Sequence, residues 1–189
     1  MSKGVVAVFG SSQSQPGDGD YESGVEVGRL LAEAGYAVTN GGYGGLMEAA
    51  SVGASGAGGQ VIGVTAPSLF PSRPRGNDHL SDEIEAKSLT ERIHIMSESA
   101  CAAIVLPGSI GTFTELMVVW NDALISTLRG DPPRPIVAMR PAWQKILEHL
   151  SEMLGTRPDL VTLVDTPAEA VVAVESLLAT TGSVGGHDY

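Results

Sequence analysis

The chain has 189 residues, with 11 Lys and Arg against 22 Asp and Glu, a formal net charge of −11. That balance excludes duplex nucleic acid and anionic membrane as main partners, because both are bound largely through Lys and Arg; a small anionic ligand in a locally positive pocket is still compatible. With 43% hydrophobic residues the sequence reads as one globular domain over residues 1–180, and the single Cys101 excludes an internal disulfide framework and a Cys-based zinc site.

No basic stretch followed by a long apolar one opens the sequence, and no apolar run reaches about 18 residues, so a cytoplasmic location is expected. Val5-VAVFG is continuous and rich in Val, as expected of a buried parallel strand. The loop Gly10-SSQSQPGDGD follows, then a helix over about 20–34 with Val27, Leu30, Leu31 and Ala34 on one face. Tyr36-AVTN is a second strand, leading into Asn40-GGYGG and a helix over 46–57 whose small apolar residues can lie flat on a sheet. After the strand Val61-IGVT comes Ala66-PSLFPSRPRGNDHL, Pro-rich where a helix would otherwise be expected, and read as a loop over the site edge or an inter-subunit contact.

In Leu89-TERIHIM, Ile93, Met96 and Ala100 form the buried stripe of a helix that Ser88 or Thr90 can cap. The run Cys101-AAIVL makes Cys101 a buried strand residue, in the strand Ala102-AIVLPG. Residues 110–126 set Phe113, Leu116, Met117, Trp120 and Leu124 at helical spacing. Pro135-IVAM is a further strand, and Thr166-PAE opens the last helix with Thr166 as N-cap, Pro167 at N1 and Glu169 closing a capping box. Thr181-GSVGGHDY reads as a frayed tail, so His187 is assigned no role.

Strand–helix alternation of this kind predicts a doubly wound, Rossmann-like α/β sheet with parallel strands and flanking helices. Ligands of such sheets bind outside the C-terminal strand ends, where the loops starting at Gly10, Asn40 and Pro107 converge. Asn40-GGYGGLME opens a helix, and Gly42 and Gly44 either let the backbone approach a ligand or serve a tight turn. It lacks the spacing of the dinucleotide fingerprint, and no G-x-x-x-x-G-K-[ST] occurs. In Pro107-GSIGTFTE, Gly108 and Gly111 permit a sharp turn, and the Thr112 hydroxyl can join backbone N–H groups on a monophosphate. Glu115 then lies about one helical turn further, roughly 6 Å, the distance from a phosphate to the anomeric carbon of its nucleotide. Favouring the helix N-terminus electrostatically is its other possible role. Arg92 either leans over a strand end toward the site or pairs on the surface with Glu85 or Glu91. His79, His94 and His149 have no metal-binding spacing and G-x-S-x-G is absent, so no metal site or serine triad is predicted. Lys87 alone gives little basis for a pyridoxal phosphate enzyme.

Taken in order, Gly41-GYGGLM, Leu89-TERIHIM and Pro107-GSIGTFTE resemble the motifs of the LONELY GUY (LOG) family of cytokinin-activating phosphoribohydrolases, also labelled "lysine decarboxylase-like". The likeness runs over about residues 4–140, and Val8-FGSS is similar to that family's nucleotide-binding first turn, which implicates Gly10, Ser11 and Ser12. The resemblance implies hydrolysis of the N-glycosidic bond of a nucleoside 5′-monophosphate, AMP or an N6-modified AMP, to free base and ribose 5-phosphate. It implies Arg92 and Glu115 as the catalytic pair, Pro107, Gly108, Ser109, Gly111 and Thr112 as the phosphate turn, and Met96 at the nucleotide site. No cofactor is implied, and a homodimer is. The sequence departs from the family pattern at Ser109, where P-G-G has glycine, at Ile93, where the R-K pair has lysine, and at Leu89, where the motif begins with Met. A non-catalytic nucleotide or molybdenum-cofactor carrier of the same fold is the alternative.

Overall fold

The computed structural model describes residues 2–73 and 75–182. Seven strands form one parallel sheet in the order β4-β3-β2-β1-β5-β6-β7. They are β1 (Val5–Phe9), β2 (Ala37–Asn40), β3 (Val61–Thr65), β4 (Asp82–Glu85), β5 (Ala102–Val105), β6 (Ile136–Met139) and β7 (Val161–Val164). Six helices accompany them: α1 (Gly19–Glu33), α2 (Leu46–Gly56), α3 (Leu89–Ser99), α4 (Ile110–Arg129), α5 (Arg140–Leu154) and α6 (Pro167–Gly182). The Rossmann-like doubly wound architecture is therefore present. Among the described residues no helix is long and apolar enough to cross a membrane.

Period-two alternation in the central strand divides the core into two halves. Val6 and Val8 pack with α1, α2 and α6, whereas Ala7 and Phe9 pack with α3, α4 and α5. Both faces of β1 are thus covered, which is why its sequence is continuously apolar. The small residues of α2 let it lie hard against α1: a Cβ on Gly53 would strike the Val25 carbonyl. At the last helix Thr166 and Glu169 form the expected capping box, with Glu169 N–H donating to Thr166 Oγ1 and Thr166 N–H to the Glu169 carboxylate, both at 3.2 Å. Ser88, not Thr90, caps α3, its hydroxyl accepting from Glu91 N–H at 3.1 Å.

Four features differ from the sequence reading. Edge strand β4 is Asp-Glu-Ile-Glu and wholly exposed, so it has no apolar run to betray it; its carboxylates discourage edge-to-edge association. The α5–β7 unit follows Pro135-IVAM without a distinctive motif, though Trp143 and Leu147 bury its inner face. Cys101 sits one residue before β5 and is only partly buried, its thiol donating to the Val5 carbonyl at 3.2 Å; burial pushes its pKa up, which suits an unreactive thiol. Residues 181 and 182 belong to α6, while His187 lies outside the described residues.

Candidate active site

Strand order reverses between β1 and β5, and the loops leaving these strands meet there. A run of backbone hydrogen bonds stitches them together. Ser11 N–H donates to the Pro107 carbonyl at 3.0 Å, Leu46 N–H to the Ser11 carbonyl at 2.7 Å, and Asn77 N–H to the Gly42 carbonyl at 2.7 Å. The Pro-rich segment after β3 is thereby fixed over the Gly-rich turn after β2. Asn77 reinforces it by donating to the carbonyls of Gly42 and Tyr43 at 3.1 and 3.2 Å.

These loops line a cleft of about 230 Å³. Gly10, Ser12, Arg92, Ser109, Gly111, Thr112 and Glu115 line it, joined by Tyr43, Met47, Phe70, Arg73, Leu89 and Thr114. An adjoining polar cleft shares Ser12, Tyr43 and Arg73 with the first and includes Gly44 and Glu48. Of the remaining residues singled out in the sequence, Ser11 and Pro107 act through the backbone bridge just described. Gly42 makes the turn itself, at φ 75° with its N–H donating to Asn40 Oδ1 at 2.8 Å. Gly108 leaves room for Thr112, against whose side chain a Cβ would collide. Met96 is not brought to the cleft: its side chain is fully buried in the core beneath α3. His79, His94, His149 and Lys87 are exposed and line neither cleft, and no cluster of metal-ligating groups occurs among the described residues.

Arg92 is only 6% exposed and pairs with neither Glu85 nor Glu91. Its Nε donates to the Val64 carbonyl and its Nη2 to the Gly41 carbonyl, both at 2.7 Å. The third guanidinium nitrogen, Nη1, has no hydrogen-bond partner among the described residues and is not sealed from the cleft that Arg92 lines. Gly41 is required at its position because a Cβ there would overlap Arg92 Nη2. Burial pulls the guanidinium below its ordinary pKa, an effect opposed mainly by the Glu115 charge.

The apolar stripe read on α4 is present, with Leu116 and Trp120 buried and Phe113 and Met117 packed half-buried against the core, but it does not mark the whole buried face. The buried face runs through Thr112, Glu115, Leu116, Trp120 and Ala123, so two polar side chains enter the interior at the start of the helix. Neither the Glu115 carboxyl nor the Thr112 hydroxyl has a hydrogen-bond partner among the described residues, yet neither is sealed from the cleft. Burial pushes the Glu115 pKa up to about 7, against the opposing pull of Arg92. Ahead of it the first three amides of α4, on Ile110, Gly111 and Thr112, are unclaimed; the Ser109 carbonyl takes only the Phe113 N–H, at 2.9 Å. Ser109 has the extended backbone, φ −106°, that accommodates a Cβ where the resembling motif has glycine, and its hydroxyl caps nothing. Ile93 is buried and outside the cleft.

Tyr43 is the main residue that sequence reasoning passed over. It is 4% exposed, with its hydroxyl accepting the Ala66 N–H at 2.8 Å. Phe70 meets its ring edge-on at 5.7 Å, and the guanidinium carbons of Arg92 and Arg73 stand 5.6 and 5.7 Å from its centre. A lone aromatic inside a Gly-rich turn was the available signal.

A helix start with amides unclaimed among the described residues, and a buried carboxyl likewise unpartnered about one turn on, can accommodate a ligand that is anionic at one end. The sequence matches the SLOG cluster 4 family (LDcluster4) over residues 3–171. The chain belongs to that family. SLOG relatives include a cytokinin riboside 5′-monophosphate phosphoribohydrolase of Mycobacterium tuberculosis, 34% identical over 83% of this chain and 78% of that one. A protein of the same name from Mycobacterium marinum is 32% identical over 80% of this chain and 75% of its own. The fold is shared with the molybdenum cofactor carrier protein of Chlamydomonas reinhardtii, at a TM-score of 0.73 and 24% identity, covering 94% of this chain and 99% of that one.

Proposed function

We propose that this SLOG protein hydrolyses the N-glycosidic bond of a nucleoside 5′-monophosphate, AMP or an N6-modified AMP, giving free base and ribose 5-phosphate. The observation that carries this reading is Glu115: a buried carboxyl without a hydrogen-bond partner among the described residues, one helical turn from three amides that none of those residues claims. Two mycobacterial relatives named as phosphoribohydrolases support it.

In this reading the phosphate rests on the amides of Ile110, Gly111 and Thr112, with the Thr112 and Ser109 hydroxyls beside it. The ribose then lies against Glu115. As the C1′–N bond breaks, its electron pair leaves with the base nitrogen and positive charge grows on the ribose ring. A fixed carboxylate stabilises that charge more in the transition state than in the ground state. Glu115 also holds the ribose hydroxyls and the attacking water, whose oxygen bonds to C1′ and whose proton is released; the departing base takes its proton from solvent. Arg92, too basic to be an acid catalyst, is held by two carbonyls and offers Nη1 to ribose or phosphate oxygens. The protein is expected to work as a cytoplasmic homodimer, and light scattering reads the assembly.

The test is incubation of purified protein with AMP and N6-isopentenyl-AMP, followed by chromatography for free base. Turnover lost in Glu115→Gln with nucleotide binding kept supports the hydrolase. Binding with no turnover across a nucleotide panel refutes it and marks a carrier.

A further inference from the structure

Of the eight arginines, six each hold a carboxylate at 2.5–3.4 Å: Arg29, Arg75, Arg129, Arg134, Arg140 and Arg157. Among the described residues only Arg73 and Arg92 have none. Both line the same cleft, and both stand over the same Tyr43 ring. In a chain with twice as many acids as bases, surface guanidinium groups readily find carboxylates. Neither Arg73 nor Arg92 has a carboxylate within 4 Å among the described residues, and although the Glu115 charge acts on Arg92 from the same cleft, the exposed guanidinium of Arg73 is left for something that arrives from outside.

The two are held differently. Arg92 is buried and committed to two carbonyls, so only Nη1 remains to it. Arg73 is exposed on the Pro-rich segment, where its own N–H bonds to the Phe70 carbonyl at 2.8 Å, and its side chain has the tyrosine face as its recorded contact. Its guanidinium therefore keeps its full set of donors for a ligand. It also borders the adjoining polar cleft, placing it at the junction of the two chambers. The two like charges disfavour one another, and an anion between them removes that repulsion.

We propose that Arg73 is a direct ligand of the substrate's anionic group, acting from the Pro-rich segment opposite helix α4, so that the site requires a phosphate monoester. The identity of the anion rests on the nucleotide reading above; the existence of an anion site rests on the arginines alone.

The experiment titrates full-length wild type, Arg73→Ala and Arg73→Lys with AMP, ribose 5-phosphate and adenosine by calorimetry, with a melting curve for each protein. Arg73→Ala is expected to weaken AMP and ribose 5-phosphate by about 10- to 100-fold, the usual range for a charge-assisted hydrogen bond. Adenosine affinity should stay within about twofold, Arg73→Lys should recover part of the loss, and the melting midpoint should not move. Equal weakening of adenosine, undiminished AMP binding, or a wild type that binds neither phosphate probe overturns the proposal. Ribose 5-phosphate held through Arg73 without any AMP turnover would uphold the anion site and sink the hydrolase. AMP hydrolysed by Arg73→Ala at the wild-type KM would do the reverse.

Discussion

Two glycine-rich turns, Gly41–Glu48 and Pro107–Glu115, leave the parallel strands β2 and β5; the first places a glutamate in the first turn of the helix that follows, the second places one in the second turn. Read as sequence they look like duplicates. In the first, the turn is tied to other loops: Gly42 is held by Asn40 and Asn77, and the first amide of α2, on Leu46, by the Ser11 carbonyl. Glu48 at its end is half-buried, at the wall of the open polar cleft. In the second, no described residue claims the three amides or the Thr112 hydroxyl, and Glu115 is buried without a partner among those residues. The difference shows what each is for. In the proposed reading the first turn serves as scaffold, holding Arg92 through the Gly41 carbonyl, and the second, with polar groups left for a ligand, is the site.

Replacing the two glutamates separates these roles most sharply. Glu115→Gln should reduce release of free base from AMP by about 10³-fold or more, while Glu48→Gln changes it by less than about threefold. Equal losses would erase the distinction. For the wild type, kcat/KM should rise with pH through about 7 and level off above it, because the ionised Glu115 is the working form and its pKa in the empty site is about 7.

Stability should move the other way. The folded-state pKa of Glu115 is raised above the ordinary 4.5, so between pH 4.5 and 7 the folded protein retains a proton that the unfolded chain has lost. Stability from this group is therefore present below pH 4.5 and is lost as pH rises through 7. Glu115→Gln, neutral throughout, should gain roughly 3 kcal/mol over wild type at pH 8 and nothing at pH 4, read from urea midpoints.

Glycine substitutions extend the contrast at smaller scale. Gly41→Ala drives a methyl group into Arg92 and should cost about 1–3 kcal/mol of stability together with activity. At Gly111 a Cβ meets nothing within 4 Å, so Gly111→Ala should leave the melting curve within about 0.5 kcal/mol. Only nucleotide affinity should fall there, severalfold, as the methyl crowds the helix start.

Much of this was legible in the chain. Continuous Val and Ile runs marked five strands, because a strand buried on both faces has no polar positions to interrupt it. The turn chemistry of Pro107-GSIGTFTE pointed to Glu115 and Thr112, and the helix pattern placed Arg92 beside its buried stripe. Strand β4 escaped because an exposed edge carries no apolar pattern, and Tyr43 because its role depends on groups far away in sequence. Met96 was assigned by motif position, which cannot tell a side chain in the cleft from one in the core below it.

Local patterns by themselves determined the alternating elements, the capping box at Thr166 and the identity of the two Gly-rich turns, since these depend on residues a few positions apart. Tertiary structure alone decided which polar groups of these turns are buried and which lack a partner among the described residues. Glu115 owes its raised pKa to being enclosed where β1 and β5 diverge, and Arg92 its orientation to carbonyls 28 and 51 residues away. Arg73 owes its lack of a carboxylate to a segment folded back over Tyr43. Burial and pairing are properties of neighbours in space, and neighbours in space are what a linear sequence does not list.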